Sequence, residues 1–244
     1  MRLGWRLGED VRLDTMYKLE DVKVGNIPDW ASRADFPDVW EEEGKHTVSS
    51  MSLTLSRDTR DNRFSPKEGG IIENTVQVAG GPFGGDRDFA KYYAGTSWYF
   101  THFEDFTLEL KLRGGIADKY DDTAMVPIYE RFYAGGANTI RGYQERHVGP
   151  KIGNEPIGGN SMLVGNAEYT FPVLKNIKGA VFYDVGNVWP EISDFGNDFR
   201  SAVGVGVRVK TPLGPVKLDY GYGLDYEPGE DDNGRFHFSM SRGF

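Results

Sequence analysis

Apolar and polar residues alternate along most of this chain with a period of two. In VRLDTMYKL the apolar set is Val11, Leu13, Tyr17 and Leu19, with Arg12, Asp14 and Lys18 opposite. FTLELKLR sets Phe106, Leu108, Leu110 and Leu112 against Thr107, Glu109, Lys111 and Arg113. VGVGVRVK opposes four valines (Val203, Val205, Val207, Val209) to Gly204, Gly206, Arg208 and Lys210. In VKLDYGYGLD, Val216, Leu218, Tyr220, Tyr222 and Leu224 face Lys217, Asp219, Gly221, Gly223 and Asp225. A strand sends successive side chains to opposite faces, so this period predicts two-faced strands. Eleven are predicted, at about 2–8, 11–24, 46–57, 69–79, 88–100, 104–115, 160–171, 177–188, 199–210, 215–226 and 235–244. Several reach ten residues, beyond the roughly five or six usual in soluble sheets. Helix is confined to a short turn in DWASRADFPDVWEEEG.

The connections alternate as well. GED, THFED, PVLKN and TPLG are short, with RDTRDNRFSPKEG a longer exception; between them fall long links at about 25–45, 80–87, 116–159, 189–198 and 227–234. Short turns on one side and long loops on the other are the layout of an antiparallel up-and-down transmembrane β-barrel. A soluble sandwich or lipocalin-like barrel also alternates. The charged faces decide between them, because in a soluble barrel the nearly pure Leu, Val, Tyr and Phe faces would have to fill a wide lumen. Trp98, Tyr99, Phe100, Tyr169, Phe171, Trp189, Phe236, Phe238 and Phe244 fall near strand ends, where aromatic residues suit a lipid–water boundary.

Composition narrows the field further. Apolar residues make up 39% of 244, and no run approaches the roughly 18 apolar residues of a spanning helix, which leaves a β-barrel untouched. The 32 glycines and 14% aromatics suit strands and turns. Cysteine is absent, so there are no disulfides or thiolate metal sites. A net charge of −9 argues against nucleic acid as a partner. The opening MRLGWRLGED lacks the apolar core of a signal peptide.

The final segment, RFHFSMSRGF, places Phe236, Phe238, Met240, Arg242 and Phe244 on one face and Arg235, His237, Ser239 and Ser241 on the other. So apolar an edge invites aggregation in water, whereas in a closed barrel it pairs with the first strand and faces lipid. Arg242 is near enough to the end to reach the interface. A terminal phenylalanine on such a strand resembles the sorting signal of bacterial outer-membrane proteins, with Gly243 beside it.

One loop breaks the alternation. GGANTIRGYQERHVGP, residues 135–150, carries Ile140, Arg141, Gly142 and Tyr143 among glycines. This tetrapeptide resembles the [VI]RG[FY] loop motif of the BamA-type outer-membrane assembly factors, the bacterial surface antigen family. SRDTRDNRFSPKEGG (56–70), AVFYDVGNVW (180–189), VGVGVRVKTPLGPVKLDYGY (203–222) and FHFSMSRGF are similar to further segments of that family's C-terminal barrel. The resemblance runs from about residue 46 onward and is specific in combination; the Arg-Gly-Tyr tripeptide alone would be weak.

The resemblance implies one outer-membrane β-barrel domain over 1–244, with the loop motif held inside by lumenal acidic residues. Parity places Asn166 and Glu168 on the polar face of one strand and Asp184 on the inner face of the next, so Arg141 is expected to meet Glu168 and Asp184. Arginine's planar fork suits carboxylates that cannot stay buried unpaired. Gly142 permits close backbone approach and Tyr143 packs on the wall. Glu145, Arg146 and His147 are left as ordinary solvated loop. The family barrel has sixteen strands and follows periplasmic POTRA domains. The eleven strands here therefore imply a piece lacking about five strands and that region; a compact barrel with a strand overlooked in 25–45 is the competing reading.

The function implied is assistance to outer-membrane proteins as they fold and insert, with the last strand offering its edge at a seam. Implied partners are nascent outer-membrane proteins, membrane lipids or lipopolysaccharide and, in a full-length protein, assembly-complex lipoproteins. The alternative is a two-partner-secretion or TamA-like translocator or pore of the same superfamily. No cofactor and no metal are expected: His46, His102, His147 and His237 are scattered, and neither a nucleophile elbow nor an HExxH is present. A lipid-modifying enzyme would need a Ser/His/acid set that the His102 region lacks, so no catalytic residue is assigned. GGPFGG (80–85) reads as a flexible hairpin tip, and EPGEDDNG (227–234) as a solvated loop.

Overall fold

The chain goes up and down in strands that pair almost entirely with their neighbours in sequence. They are β1 (Arg2–Arg6), β2 (Val11–Val24), β3 (Gly44–Asp58), β4 (Gly69–Ala79), β5 (Phe89–His102), β6 (Phe106–Lys119), β7 (Lys151–Ile152), β8 (Glu155–Pro156), β9 (Ser161–Leu174), β10 (Ile177–Trp189), β11 (Arg200–Thr211), β12 (Gly214–Gly223) and β13 (Arg235–Met240). The structure is a computed structural model. It describes all residues except 28–30, 104, 122, 124, 212–213, 227–231 and 241–244, together with the side chains of 38 and 214. Gly243 and Phe244, the outermost residues of the expected terminal signal, thus lie outside the described residues.

Eleven of these strands form one antiparallel sheet in the order β1-β2-β3-β4-β5-β6-β9-β10-β11-β12-β13. β1 and β13 are its two outer strands. Each pairs with one neighbour among the described residues, β13 through only six residue pairs, Val216↔Met240 to Gly221↔Arg235. All eleven expected strands are present, and several run a turn of pleat further: β5 extends to His102 and β6 to Lys119.

The alternation sorts the two faces as the charge pattern requires. On the outer face, Leu112, Val205 and Phe236 are 50%, 57% and 76% exposed, which suits lipid contact and would be costly in water. On the inner face Glu168, Asp184, Arg208 and Asp219 are all buried, a placement that ionised groups tolerate only when paired.

The loop between β6 and β9 supplies six of the eleven residues of the larger interior apolar cluster. Val126, Phe132, Ala134, Ile140, Tyr143 and Val148 cluster against Ala117, Met162, Val164, Val188 and Ala202 of the wall. The same loop contains the β7–β8 hairpin, which the alternation does not reveal because each arm is two residues long. The expected turn of helix is α1, Pro37–Glu41, with proline in its first turn where a missing N–H costs nothing. GGPFGG departs from the flexible-tip expectation. Gly81–Phe83 is a 3₁₀ turn, with the Gly81 N–H on Asp88 at 2.7 Å and the Ser49 hydroxyl on the Phe83 carbonyl at 2.8 Å.

Candidate functional site

The long loop carries Arg141 to the inner wall, where β9, β10, β11 and β12 present charged side chains side by side. Strand register explains the assembly. Asp184 on β10 stands opposite Asn166 of β9, Phe182 opposite Glu168, and Gly206 of β11 opposite Asp219 of β12. All of these share inward parity, so the carboxylates form a compact patch.

Asp184 is fully buried, and its two oxygens accept four hydrogen bonds. Oδ2 takes the Arg141 backbone N–H at 3.0 Å and Nε at 2.8 Å; Oδ1 takes Arg141 Nη2 and Asn166 Nδ2, each at 2.8 Å. A carboxylate has about four acceptor sites, so none is left over. Arg141 Nη1 donates to Glu168 Oε2 at 2.7 Å and lies 3.5 Å from Asp219. Its guanidinium carbon sits 3.4 Å from the centre of the Phe182 ring, a stacked position that hydrogen bonding in the guanidinium plane leaves free.

A second arginine closes the patch. Arg208 on β11 donates from Nε and Nη2 to both oxygens of Glu168, at 2.8 and 2.7 Å, and from Nη1 to Asp219 at 2.6 Å. Lys217 stands 3.9 Å from Glu168. Three carboxylates therefore face two guanidiniums and an ammonium, and no charge in the patch is buried alone. Beside it a polar cavity of about 210 Å³, lined by Glu109, Lys111, Asn138, Lys217 and Ser239, is large enough for several waters.

The rest of the motif is seated by contact with the wall. Ile140 is fully buried in the apolar cluster. Gly142 has φ +94°, and a Cβ there would come within 2.8 Å of the Gly223 nitrogen; one on Gly221 would come within 2.6 Å of the Gly142 nitrogen. Backbone thus lies directly on backbone, which only glycine permits on both sides. The Gly142 carbonyl accepts from the Tyr226 hydroxyl at 3.1 Å, and its N–H donates to His237 Nε2 of β13 at 2.9 Å. The Tyr143 hydroxyl donates to the Ser201 carbonyl at 3.0 Å and accepts the Asp225 N–H at 3.1 Å. Burial pushes that phenol above its ordinary value, which keeps it a neutral hydroxyl able to do both. Glu145 and Arg146 remain exposed, Arg146 lying 4.9 Å over the Tyr133 ring.

The expected site residues thus fall into two groups. Ile140, Arg141, Gly142, Tyr143, Glu168 and Asp184 come together at the wall. Phe236, Phe238 and Met240 lie on the outer face of β13, away from the patch, and are exposed. Sequence reasoning missed Arg208, Asp219, Phe182, Tyr226 and His237 as partners of the motif. Reading 203–222 as a hairpin in register would have found the first two, since it brings Arg208 and Asp219 to neighbouring inward positions.

The 56–70 segment is a separate site, built at the β3–β4 turn. Arg60 grips Asp58 with two hydrogen bonds, 2.8 and 2.9 Å. Asp61 accepts the N–H groups of Lys67 and Glu68 at 2.8 and 3.2 Å, and Asn62 those of Phe64 and Ser65 at 2.8 and 3.0 Å. These side chains satisfy turn amides that have no ladder partner, which is what Asp and Asn do in turns. Among the described residues no group of acidic or His side chains has the arrangement of a metal site.

Comparison with known proteins agrees with this architecture. A family model described as the Omp85 superfamily domain matches residues 1–244. The outer membrane protein assembly factor BamA of Nitratidesulfovibrio vulgaris is 31% identical over 251 residues, covering 100% of this chain and 31% of that protein. BamA of Neisseria meningitidis is 31% identical over 192 residues, 63% of this chain and 24% of that protein. The chain spans about a third or less of the length of these curated relatives. A crystal structure of BamA from Haemophilus ducreyi lacking POTRA domains 1–3 superposes with a TM-score of 0.79 at 18% identity, over 97% of this chain and 52% of that one.

Proposed function

The chain belongs to the Omp85 superfamily, and on that premise we propose that it is the outer-membrane barrel part of an assembly factor that helps other barrel proteins fold and insert. The observation that carries the reading is the loop arginine locked to the wall. A transmembrane sheet needs no buried pairing of Arg141 with Asp184, Glu168 and Asp219 merely to span lipid, since its outer face does that work. An internal brace is useful where the wall must keep its shape while an edge is engaged. Here the brace is fastened to β9, β10, β12 and β13, the strands that lead to the last edge.

β13 supplies the edge. Its outer side chains Phe236, Phe238 and Met240 are exposed, and among the described residues it pairs with β12 alone, the position from which a strand recruits another by edge pairing. The partners that fit are nascent outer-membrane proteins, which arrive as unpaired strands, together with membrane lipids or lipopolysaccharide around the outer face. Assembly-complex lipoproteins are partners only of the full-length protein. The role is non-enzymatic, and needs geometry and an edge rather than a nucleophile or a cofactor.

The test places the full-length protein containing this barrel in phospholipid vesicles with an unfolded outer-membrane protein, and follows folding by heat-modifiable mobility. Asp184→Ala is expected to slow client folding at least about tenfold, as expected when a buried paired group is removed. Unchanged client folding by Asp184→Ala would defeat the brace. If the wild-type protein fails to accelerate client folding but exports a partner substrate across the vesicle membrane, it is a translocator of the same superfamily.

A further inference from the structure

His237, on the inner face of β13, accepts the Gly142 N–H through its imidazole and so joins the motif to that strand. We propose that His237 is a positioning residue that ties the motif loop to the last strand and releases it on protonation. This rests on the reading of β13 as the working edge, and adds a regulator to it.

The geometry fixes the proton inventory. Gly142 N–H donates to His237 Nε2 at 2.9 Å. A neutral imidazole has one acceptor nitrogen, so Nδ1 must hold the ring proton. Protonation turns both nitrogens into donors, and the Gly142 N–H then faces another N–H. No rotation of the loop can restore the bond, because Gly142 is pressed on β12 and its carbonyl is held by Tyr226.

The surroundings do not cancel this loss. Asp219 stands opposite His237 in the β12–β13 register, Asp184 lies on the same inner wall from β10, and Arg141 of the loop and Arg235 of β13 bring positive charge near it. The carboxylates are already engaged, Asp184 by Arg141 and Asn166, Asp219 by Arg208 with Arg141 beyond. Among the described residues β13 pairs with β12 alone, so the Gly142–His237 bond is its one link to the motif loop that is shown. Acid therefore loosens the last strand from the loop while the Arg141–Asp184 anchor stays.

Amide exchange on the full-length protein in vesicles tests this, with protection factors corrected for intrinsic exchange at about pH 7.5 and about pH 4.5, the lower value chosen because burial disfavours a charged imidazole. In the wild type, protection at Gly142 and over 235–240 is expected to fall about tenfold on acidification, the scale of one hydrogen bond. His237→Gln keeps a neutral acceptor and should hold its protection at both pH values; His237→Leu should be low at both. If the glutamine variant loses protection with acid as the wild type does, or the leucine variant is as protected as the wild type at neutral pH, the tie is wrong. Client folding in the same samples separates the two readings. Protection that follows His237 without any client folding keeps the tie and removes the assembly role, whereas client folding without a His237-dependent change in protection removes the tie alone.

Discussion

Arg141 and Arg60 each grip a carboxylate with two side-chain hydrogen bonds, yet they hold different things. Arg60 takes Asp58, two residues away, and the pair lies at the rim with about a fifth of each side chain exposed (17% and 19%). Arg141 takes Asp184, forty-three residues away, and then Glu168, with 7% of its side chain exposed and none of Asp184's. The first pair stiffens a turn that the chain makes anyway. The second fixes a long loop to strands that would otherwise not meet it, and its members are almost wholly buried. Distance along the chain and depth, rather than the chemistry of the pair, separate a local clip from a structural tie.

Several substitutions sharpen that contrast. The largest effect is expected from Arg141→Ala, which leaves the Asp184 and Glu168 carboxylates without their guanidinium. A loss of roughly 3–5 kcal/mol in loop docking is expected, read as rapid proteolysis within 120–160 while the strands stay protected. Tyr143→Phe removes a hydroxyl that bridges Ser201 and Asp225, and should cost about 1 kcal/mol in urea unfolding. Arg60→Ala should cost no more than about 1 kcal/mol, in line with pairs near solvent. A loss as large as that from Arg141→Ala would break the comparison. The smallest effect is a pH dependence at the turn. The N–H groups of Lys67 and Glu68 hold the Asp61 carboxyl below its usual range. A depressed carboxylate stabilises the folded form fully above its unfolded pKa, near about 3.9, and loses that contribution as pH falls through the folded one. Exchange at Lys67 and Glu68 should therefore speed up only below about pH 4, and not at all in Asp61→Asn.

What the sequence makes legible follows from the same distinction. Period-two alternation with charges on one face is a property of each strand by itself, so β2, β6, β11 and β12 can be read from their own residues. Asp184 and Glu168 could be placed inward by parity alone. Arg208 and Asp219 needed one further step, the register of their hairpin. His237 needed two, since its value depends on a loop being inside and on that loop's backbone lying against β12. The β7–β8 hairpin has no period to detect. GGPFGG looked free because its restraints, Ser49 and Asp88, come from neighbouring segments rather than from the glycines.

The direction of the motif's contacts also orders events during folding. The polar contacts that seat residues 141–143 follow them in the chain, from Glu168 and Asp184 to Ser201, Tyr226 and His237. The loop can therefore be captured by the C-terminal hairpins as soon as these pair, at the modest entropic cost of closing segments of this length, before β1–β5 are in place. A loop that had to be inserted into a finished wall would meet a closed surface. The contacts that hold Arg141, Gly142 and Tyr143 lie in β9–β13 and the segment after β12, so the seat of the motif is complete without β1–β5.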